Sequence, residues 1–227
     1  MKVFTVSRGW KATYPGAAVG ILTMHNVVNP QRHTALDERK EEVERALRSR
    51  YAGYDRTGLK ALPVLEAYNA YYRQFKKTYH VQLQLESVVL KGKSIPSVSA
   101  LVEAMFVAEL KNLLLTAGHD LAAVHKPVGV DVAEGSERYI RLNGQEQQLK
   151  PGDMMIADGQ EVISSVLYGP DQRTRITAET KQVLFTVYAP PGIGEEAVGE
   201  HLEDIRDNVL LVAPQAQVET LTVYGTE

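Results

Sequence analysis

The chain has 227 residues, 44% hydrophobic and 23% charged, which is the composition of a folded globular protein with a sizeable core. Its net charge of −3 excludes a strong overall attraction to nucleic acid, so DNA is not an expected partner and any RNA contact needs a local patch. The absence of cysteine excludes disulfide bonds and thiolate chemistry. With no leader-like segment and no stretch of about 18 apolar residues, the sequence predicts a cytoplasmic protein without a membrane span.

The N-terminal region is predicted to begin with strands and to continue as helices. Val3 and Thr5 belong to an alternating segment, and a second apolar stretch follows the turn-like YPG, so both segments read as strands. From Thr34, which can cap a helix, Val43 and Leu47 recur at helical spacing.

A second helix is predicted over residues 61–77. Leu65, Tyr68, Tyr72 and Phe75 form one apolar stripe, which is typical of a helix packed on a core. The segment YYRQFKKTYH also mixes aromatic rings with basic side chains, as single-strand binders do. A core stripe and an interaction surface are therefore both open interpretations of this helix.

Two further helices are predicted in the middle of the chain. The segment HVQLQLESVVLKG alternates like a strand at its start, but it also fits a helix stopped by Gly92, and we favour the helix. Residues 97–116 are strongly apolar and free of glycine and proline, which predicts a buried central helix. We expect GHD at 118–120 to end this helix in a turn that presents its side chains.

Beyond Gly118 the sequence is typical of short strands and hairpins. Glycine, proline and Asp-Gly turns punctuate short β-rich runs, and Asp158-Gly159 is the clearest hairpin signal. A last helix over about 194–209 and a closing strand in VETLTVYG follow. A helix-rich half followed by a strand-rich half predicts an α+β fold in one domain.

Few residue patterns point to chemistry. The six histidines are dispersed, and His119 and His125 lack partnering acids at helical spacing, so no metal site is expected. No phosphate-loop or dinucleotide motif indicates a cofactor. Several polar residues fall instead on the helix end and the neighbouring hairpins, where they could bind an amino-acid-like ligand with Asp for an ammonium, Arg for a carboxylate and Thr for hydrogen bonds. These residues are Asp120, Arg141, Asp158, Tyr168, Arg173, Thr174, Thr177 and Thr180.

The succession of motifs over about 83–190 resembles the B3/B4 module of the bacterial phenylalanyl-tRNA synthetase β subunit. The pieces that carry the resemblance are LVEAMF, then GHD, then GVDVAEGSERYIRLNG, LKPGDMMIADGQEVISSVLYG and TRITAETKQVLF. Asp120 matches the aspartate of a family turn, and Thr177, Glu179 and Thr180 match a T-x-E-T segment. The resemblance implies one B3/B4-like domain over 1–227, with an N-terminal extension at 1–80, a C-terminal helix and strand at 194–225, and helices packed on a sandwich-like set of short, mixed strands.

This chain departs from the family pattern at positions that bear on chemistry. The histidine of the turn falls on Ala117, and His119 stands in the place of its phenylalanine. The aspartate and asparagine of the helix become Glu103 and Phe106, and Thr186 stands where the family has a glutamate. The family's M-G-G turn becomes Gly169, Pro170 and Asp171.

The resemblance implies a stand-alone protein that binds an amino acid or the aminoacyl end of a tRNA and hydrolyses mischarged tRNA in trans. The alternative is a non-catalytic module for RNA or a small molecule that has lost the editing chemistry; a third hypothesis is an interaction protein that uses the helix around 68–77. His119 and Asp120 are the candidate catalytic residues, since an ester hydrolase needs a positioned water and a base. The expected ligand-binding residues are Phe106, His119, Asp120, Arg141, Tyr168, Arg173, Thr174 and Thr186.

Overall fold

A computed structural model describes residues 4–226, and it places seven α-helices in that part of the chain. They are α1 Arg8–Thr13, α2 Thr34–Arg50, α3 Arg56–Lys60, α4 Pro63–Gln74, α5 His80–Val89, α6 Ala100–Asn112 and α7 Glu195–Val212. A 3₁₀ turn covers Leu121–Ala123. Within residues 4–226 no helix is both long enough and apolar enough to cross a membrane.

The strands form two larger sheets and one small hairpin. They are β1 Phe4–Val6, β2 Ala18–His25, β3 Leu115–Asp120, β4 Val128–Val132, β5 Arg138–Ile140, β6 Glu146–Gln148, β7 Met154–Ala157, β8 Val162–Ser165, β9 Gly169–Pro170, β10 Gln182–Ala189 and β11 Gln217–Gly225. The four-stranded sheet has the order β11-β2-β10-β3 and is antiparallel throughout. The five-stranded sheet has the order β1-β4-β7-β8-β9, in which only the β1–β4 pair is parallel.

Helices cover one face of the four-stranded sheet, and the five-stranded sheet lies towards the other. On the helical side a Cβ atom at Gly20 would lie 2.7 Å from Cγ1 of Val198, so the close approach of α7 to β2 requires glycine there. On the opposite side the hydroxyls of Tyr188 on β10 and Ser164 on β8 are 2.5 Å apart and join the two sheets. The core therefore has a polar link at its centre as well as apolar packing.

Tyr68 joins α4 to the same sheet. Its hydroxyl donates to the carbonyl oxygen of Tyr188 at 2.5 Å and accepts from the backbone N–H of Leu115 at 2.8 Å. Its ring stacks on Tyr79 with centroids 4.1 Å apart. Since Tyr68 and Tyr72 are both buried, the apolar stripe of α4 packs on the core, as the spacing predicts.

The α+β prediction is confirmed, as are most of the elements. The helix predicted from Thr34, the helix interpretation of the segment before Gly92 and the hairpin at Asp158-Gly159 all agree with the structure. The predicted strand at Thr5 is β1, whereas Val3 lies outside the described residues. The short helices α1 and α3 and the strands β6 and β9 were not predicted.

The prediction for residues 113–120 was wrong. Helix α6 ends at Asn112, where Leu113 takes a left-handed conformation with φ 62°, and Leu115–Asp120 form strand β3 instead of a helix end and a turn. The apolar run continues through LLLTA, so composition does not mark the helix end. The pairing of β3 with β10, which is distant in sequence, makes this segment a strand.

Candidate functional site

Five of the eight predicted ligand-binding residues fall into two regions of the fold. The first, the inter-sheet site, lies between β3, β10 and β8 and consists of His119, Ser164, Asp171, Thr174, Thr186 and Tyr188. The second, the basic–aromatic site, consists of Lys77, Arg141 and Tyr168.

Strand alternation directs His119 and Thr186 towards the space between the sheets. In the β3–β10 ladder His119 lies opposite Leu184, and Ala117 lies opposite Thr186. These four side chains share the sheet face of Tyr188, whose hydroxyl meets β8. His119 and Thr186 are both 0% exposed, so the imidazole is directed inward by the strand itself.

A hydrogen-bond relay fixes the tautomer of His119. The Thr174 hydroxyl has one proton, and it donates that proton to Oδ1 of Asp171 in a short hydrogen bond. Nδ1 of His119, 2.7 Å from Oγ1 of Thr174, must then be the donor to this oxygen. The remaining ring nitrogen, Nε2, therefore carries a lone pair and accepts hydrogen bonds.

Two polar atoms of this site are left without a partner. Among residues 4–226 neither Nε2 of His119 nor Oγ1 of Thr186 has a hydrogen-bond partner, although both atoms are buried. A buried polar atom without a partner costs about 1–3 kcal/mol, and such atoms are rare enough to need an explanation. Their presence on one sheet face favours a binding role for this part of the core.

Burial keeps His119 neutral. Burial lowers the pKa of His119 to about 3, and the charge of Arg173 adds to this effect, while Asp158 opposes it. Oδ1 of Asp171 lies 4.0 Å from Nδ1 of His119, but with a neutral imidazole this contact is not an ion pair. The ring can accept or donate a hydrogen bond near neutral pH, yet it is a weak base.

Asp120 has a local structural role at the end of β3. Its Oδ1 accepts from the backbone N–H of Ala122 at 3.0 Å and caps the 3₁₀ turn, and its Oδ2 accepts from the hydroxyl of Thr180 at 2.8 Å. The Thr180 hydroxyl in turn accepts from the backbone N–H of Thr177 at 2.9 Å. The GHD and T-x-E-T motifs thus meet in space through hydrogen bonds.

Arg173 holds three segments together. Its guanidinium donates to Asp158 at 2.7 Å, to Glu161 at 2.7 Å and to the carbonyl oxygen of Ala123 at 2.6 Å. These contacts tie the Asp158 hairpin to the 3₁₀ turn beside β3. In this conformation Arg173 fixes the wall next to His119, and three of its N–H groups are already engaged.

Phe106 is not brought next to His119. It lies on α6, half-buried against the hydrophobic core. Met105 of the same helix faces Gly118, where a Cβ atom would lie 3.1 Å from its sulfur. Gly118 and His119 are neighbours on one strand and point to opposite faces, so α6 lies across β3 from the inter-sheet site.

Arg141 and Tyr168 lie together in the basic–aromatic site. The ammonium of Lys77 is 4.1 Å from the centroid of the Tyr168 ring. Arg141 follows β5 and pairs with Asp171 through a backbone bridge, which places it between the two regions. Its charge lowers the pKa of Lys77, after the effects of burial and of Lys150.

A buried carboxylate beneath this site was missed by sequence reasoning. Asp153 is 0% exposed, and its Oδ1 accepts from the hydroxyl of Tyr71 at 2.7 Å. Burial raises the pKa of Asp153 to about 6, and hydrogen bonds from the Tyr71 hydroxyl and the Leu167 N–H partly oppose this rise. No local signal marks Asp153, which follows a Pro-Gly turn of the kind normally found on surfaces.

Asp171 was also missed as a site residue. The signal for it is the pattern Asp-x-x-Thr, in which the carboxylate accepts from the backbone N–H of Thr174 at 3.2 Å. That pattern identifies a local turn, but only the fold shows that the turn also holds His119. Within residues 4–226 no group of three or more His, Asp and Glu side chains is placed to hold a metal ion.

The succession of β3, the Asp158 hairpin, the 171–180 segment and β10 matches a known domain family. The B3/4 domain family matches residues 65–197, which is more than half of the chain. The chain belongs to the B3/4 domain family. The inter-sheet site and Lys77, Arg141 and Tyr168 all lie within the matched residues.

Two relatives of this B3/4 protein show how much of each chain is similar. The phenylalanine–tRNA ligase beta subunit of Mycoplasma pneumoniae is 32% identical over 69 residues, which are 30% of this chain and 9% of that protein. An N-terminal fragment of the phenylalanyl-tRNA synthetase beta subunit from Pyrococcus horikoshii matches 95% of this chain and 50% of its own with a TM-score of 0.50. At 12% identity the second similarity shows a shared fold alone. The chain thus spans only a small part of one relative and half of the other.

Proposed function

We propose that this B3/4 protein acts as one domain over residues 1–227 and binds an amino acid or the aminoacyl end of a tRNA at the inter-sheet site. Its relationship to phenylalanine–tRNA ligase beta subunits supports a tRNA-related role. One apolar core that includes residues from Trp10 to Val212 supports the single domain.

The observation that carries the proposal is the pair of unpartnered atoms. Nε2 of His119 is an acceptor, and the hydroxyl of Thr186 can donate and accept. His119 lies in the GHD segment, and Thr186 directly follows TRITAETKQVLF; each replaces a different residue of the synthetase module. An ammonium or hydroxyl group of a ligand would supply the donor that Nε2 lacks, and a polar group of the same ligand would satisfy Thr186.

Ligand access requires a conformational change. His119 and Thr186 are 0% exposed, so a ligand reaches them only when neighbouring segments move. The apparent affinity is then the intrinsic affinity reduced by the fraction of open molecules. The 171–180 segment, which contacts His119 and Asp120 through side chains, is the part of the site whose movement we propose.

Hydrolysis of a mischarged tRNA in trans is the second candidate function. The Asp171–Thr174–His119 relay orients the Nε2 lone pair, as a general base requires. A pKa of about 3 makes His119 a weak base, however, which favours binding without hydrolysis, and thus the non-catalytic alternative. A deacylation assay on aminoacylated tRNAs, with wild type and His119→Asn, decides between the two: hydrolysis that depends on His119 supports the catalytic candidate.

A thermal-shift panel tests the binding proposal. The ligands are the twenty amino acids and their non-hydrolysable aminoacyl-adenosine analogues. A ligand at 100 times its Kd stabilises the folded state by about 2.7 kcal/mol, which for a domain of this size raises Tm by about 5–10 °C. The proposal predicts a clear shift with at least one ligand, and a flat panel at millimolar concentration would contradict it.

Thr186→Val and a matched control locate the ligand. Valine has the shape of threonine without its hydroxyl, so Thr186→Val should abolish the ligand-induced shift and leave the fold intact. Thr222→Val on the edge strand β11 makes the same chemical change where the hydroxyl has no hydrogen bond to any of residues 4–226, and it should leave the shift unchanged. An equal ligand shift in Thr186→Val and wild type would place the ligand elsewhere.

A further inference from the structure

The basic–aromatic site brings two cations together without a carboxylate partner. Within the described residues neither Lys77 nor Arg141 forms an ion pair, although the chain contains more acidic than basic side chains. Like charges that lie close together repel each other. A ligand of opposite charge would remove this repulsion.

Among residues 4–226 no carboxylate forms an ion pair that would neutralise these cations. Lys150, the third cation nearby, is held by a hydrogen bond from its ammonium to the carbonyl oxygen of Phe75 at 3.0 Å. The carboxylate of Asp153 lies beneath the basic–aromatic site, where it is 0% exposed and accepts a hydrogen bond from the Tyr71 hydroxyl. Burial is the largest cause that lowers the pKa of Lys77, and the charges of Lys150 and Arg141 lower it further. Asp153 opposes this effect.

Tyr168 positions Lys77 and leaves its own hydroxyl available. The ring packs against both hydrophobic clusters of the core, and Lys77 lies over it. A ring with these neighbours is poorly placed to stack on a nucleobase. Its hydroxyl is a donor without a hydrogen bond to any of residues 4–226, and the Lys77 ammonium lies over the ring that carries it.

These groups fit an oxyanion. Lysine binds a phosphate as a point charge, arginine offers several N–H donors in a fixed fork, and a phenolic hydroxyl adds one more donor. Lys77 is exposed and Arg141 and Tyr168 are partly exposed, so a ligand can reach all three without opening the core. The arrangement thus differs from the inter-sheet site, which needs a conformational change.

We propose that Lys77, Arg141 and Tyr168 form a binding site for a phosphate group of a nucleotide. The attribution of this phosphate to the end of an RNA rests on the proposed function, whereas the phosphate site itself does not. Arg141 is bridged to Asp171, so the site borders the inter-sheet site and could hold a phosphate of the same RNA whose aminoacyl end binds there.

A ³¹P NMR titration tests the site with three probes: inorganic phosphate, 5′-AMP and a short single-stranded RNA. Adenosine, monitored by proton NMR, is the control without a phosphate. We expect 5′-AMP to bind, adenosine not to bind, and each of Lys77→Gln and Arg141→Gln to weaken 5′-AMP binding at least tenfold. Lys91→Gln, which removes an exposed lysine that forms no ion pair or side-chain hydrogen bond with any of residues 4–226, should change the affinity less than twofold.

Three results would overturn the phosphate site: equal 5′-AMP affinity in Lys77→Gln and wild type, equal binding of adenosine and 5′-AMP, or no binding of 5′-AMP and inorganic phosphate at millimolar concentration. If the RNA competes with 5′-AMP, its salt slope should fall by about one in Lys77→Gln. If phosphate and 5′-AMP bind but the RNA does not compete, the site is supported and its ligand is a mononucleotide.

The same variants separate this inference from the proposed function. Lys77→Gln should keep the thermal shift with a free amino acid, because Lys77 lies outside the inter-sheet site. Thr186→Val should keep 5′-AMP binding. Loss of one kind of binding without the other therefore shows which of the two proposals has failed.

Discussion

The inter-sheet site and the basic–aromatic site border each other, but the polar atoms of the first are buried and the cations of the second lie at the surface. The first buries a neutral imidazole in a relay through Thr174 to Asp171 and leaves two atoms unpartnered. The second leaves two cations at the surface above a buried carboxylate. A buried site can discriminate among ligands through hydrogen bonds, whereas an exposed charged site attracts any suitable anion and is weakened by salt.

The largest effect on stability is expected from Thr174→Val. This change removes the donor to Asp171 and the acceptor for His119, and both partners stay buried. The expected loss is about 3 kcal/mol of unfolding free energy. Urea denaturation measures it, and Thr57→Val, which changes an exposed threonine, should stay within about 0.5 kcal/mol. A loss below about 1 kcal/mol for Thr174→Val would contradict the relay.

Asp153 should make stability depend on pH. Its folded pKa of about 6 lies above the unfolded value, so its contribution is fully present below about pH 4 and is lost as pH rises through about 6. The total change is about 3 kcal/mol. Asp153→Asn should remove this part of the pH dependence in denaturation curves between pH 4 and 7. An unchanged pH profile in the variant would show that Asp153 titrates normally.

Thr186→Val should raise stability by about 1 kcal/mol, because a methyl group replaces a buried hydroxyl that has no partner. The gain should accompany a loss of ligand binding, as expected where function requires an unsatisfied group. Thermal denaturation without ligand measures it. A destabilisation of similar size would mean that the hydroxyl is hydrogen-bonded in the free protein.

The smallest effect is expected for Lys77→Gln. Loss of an exposed cation–π contact with Tyr168 should cost about 0.5 kcal/mol. The same change should weaken 5′-AMP binding strongly, so affinity and stability would be separated at this position. A stability loss above about 2 kcal/mol would indicate a structural role for Lys77.

The sequence predicted elements that are determined locally. The apolar stripe of α4 and the Asp-Gly turn between β7 and β8 are set by nearby residues, and they agree with the structure. Strand β3 was mistaken for a helix end because its conformation depends on β10, some 70 residues later in the chain. Periodicity alone does not contain that pairing.

The site was predictable only in part for the same reason. Eight ligand-binding residues were expected, and the structure brings His119, Thr174 and Thr186 to one region and Arg141 and Tyr168 to another. The roles of Asp171 and Asp153 depend on contacts with side chains far away in sequence, which local patterns do not show. Whether the predicted residues bind a ligand stays a prediction.

The role of His119 can be tested by a ¹⁵N–¹H NMR experiment on the imidazole nitrogens of histidine-labelled protein, with and without the amino acids and analogues of the panel. We expect His119 to be protonated at Nδ1 only, not to titrate between pH 5 and 8, and to shift its Nε2 resonance with at least one ligand. His201, which is equally buried but has a partner on each ring nitrogen, is the internal control and should not shift. Protonation of His119 at Nε2, or an unchanged Nε2 resonance with every ligand at millimolar concentration, would contradict the account.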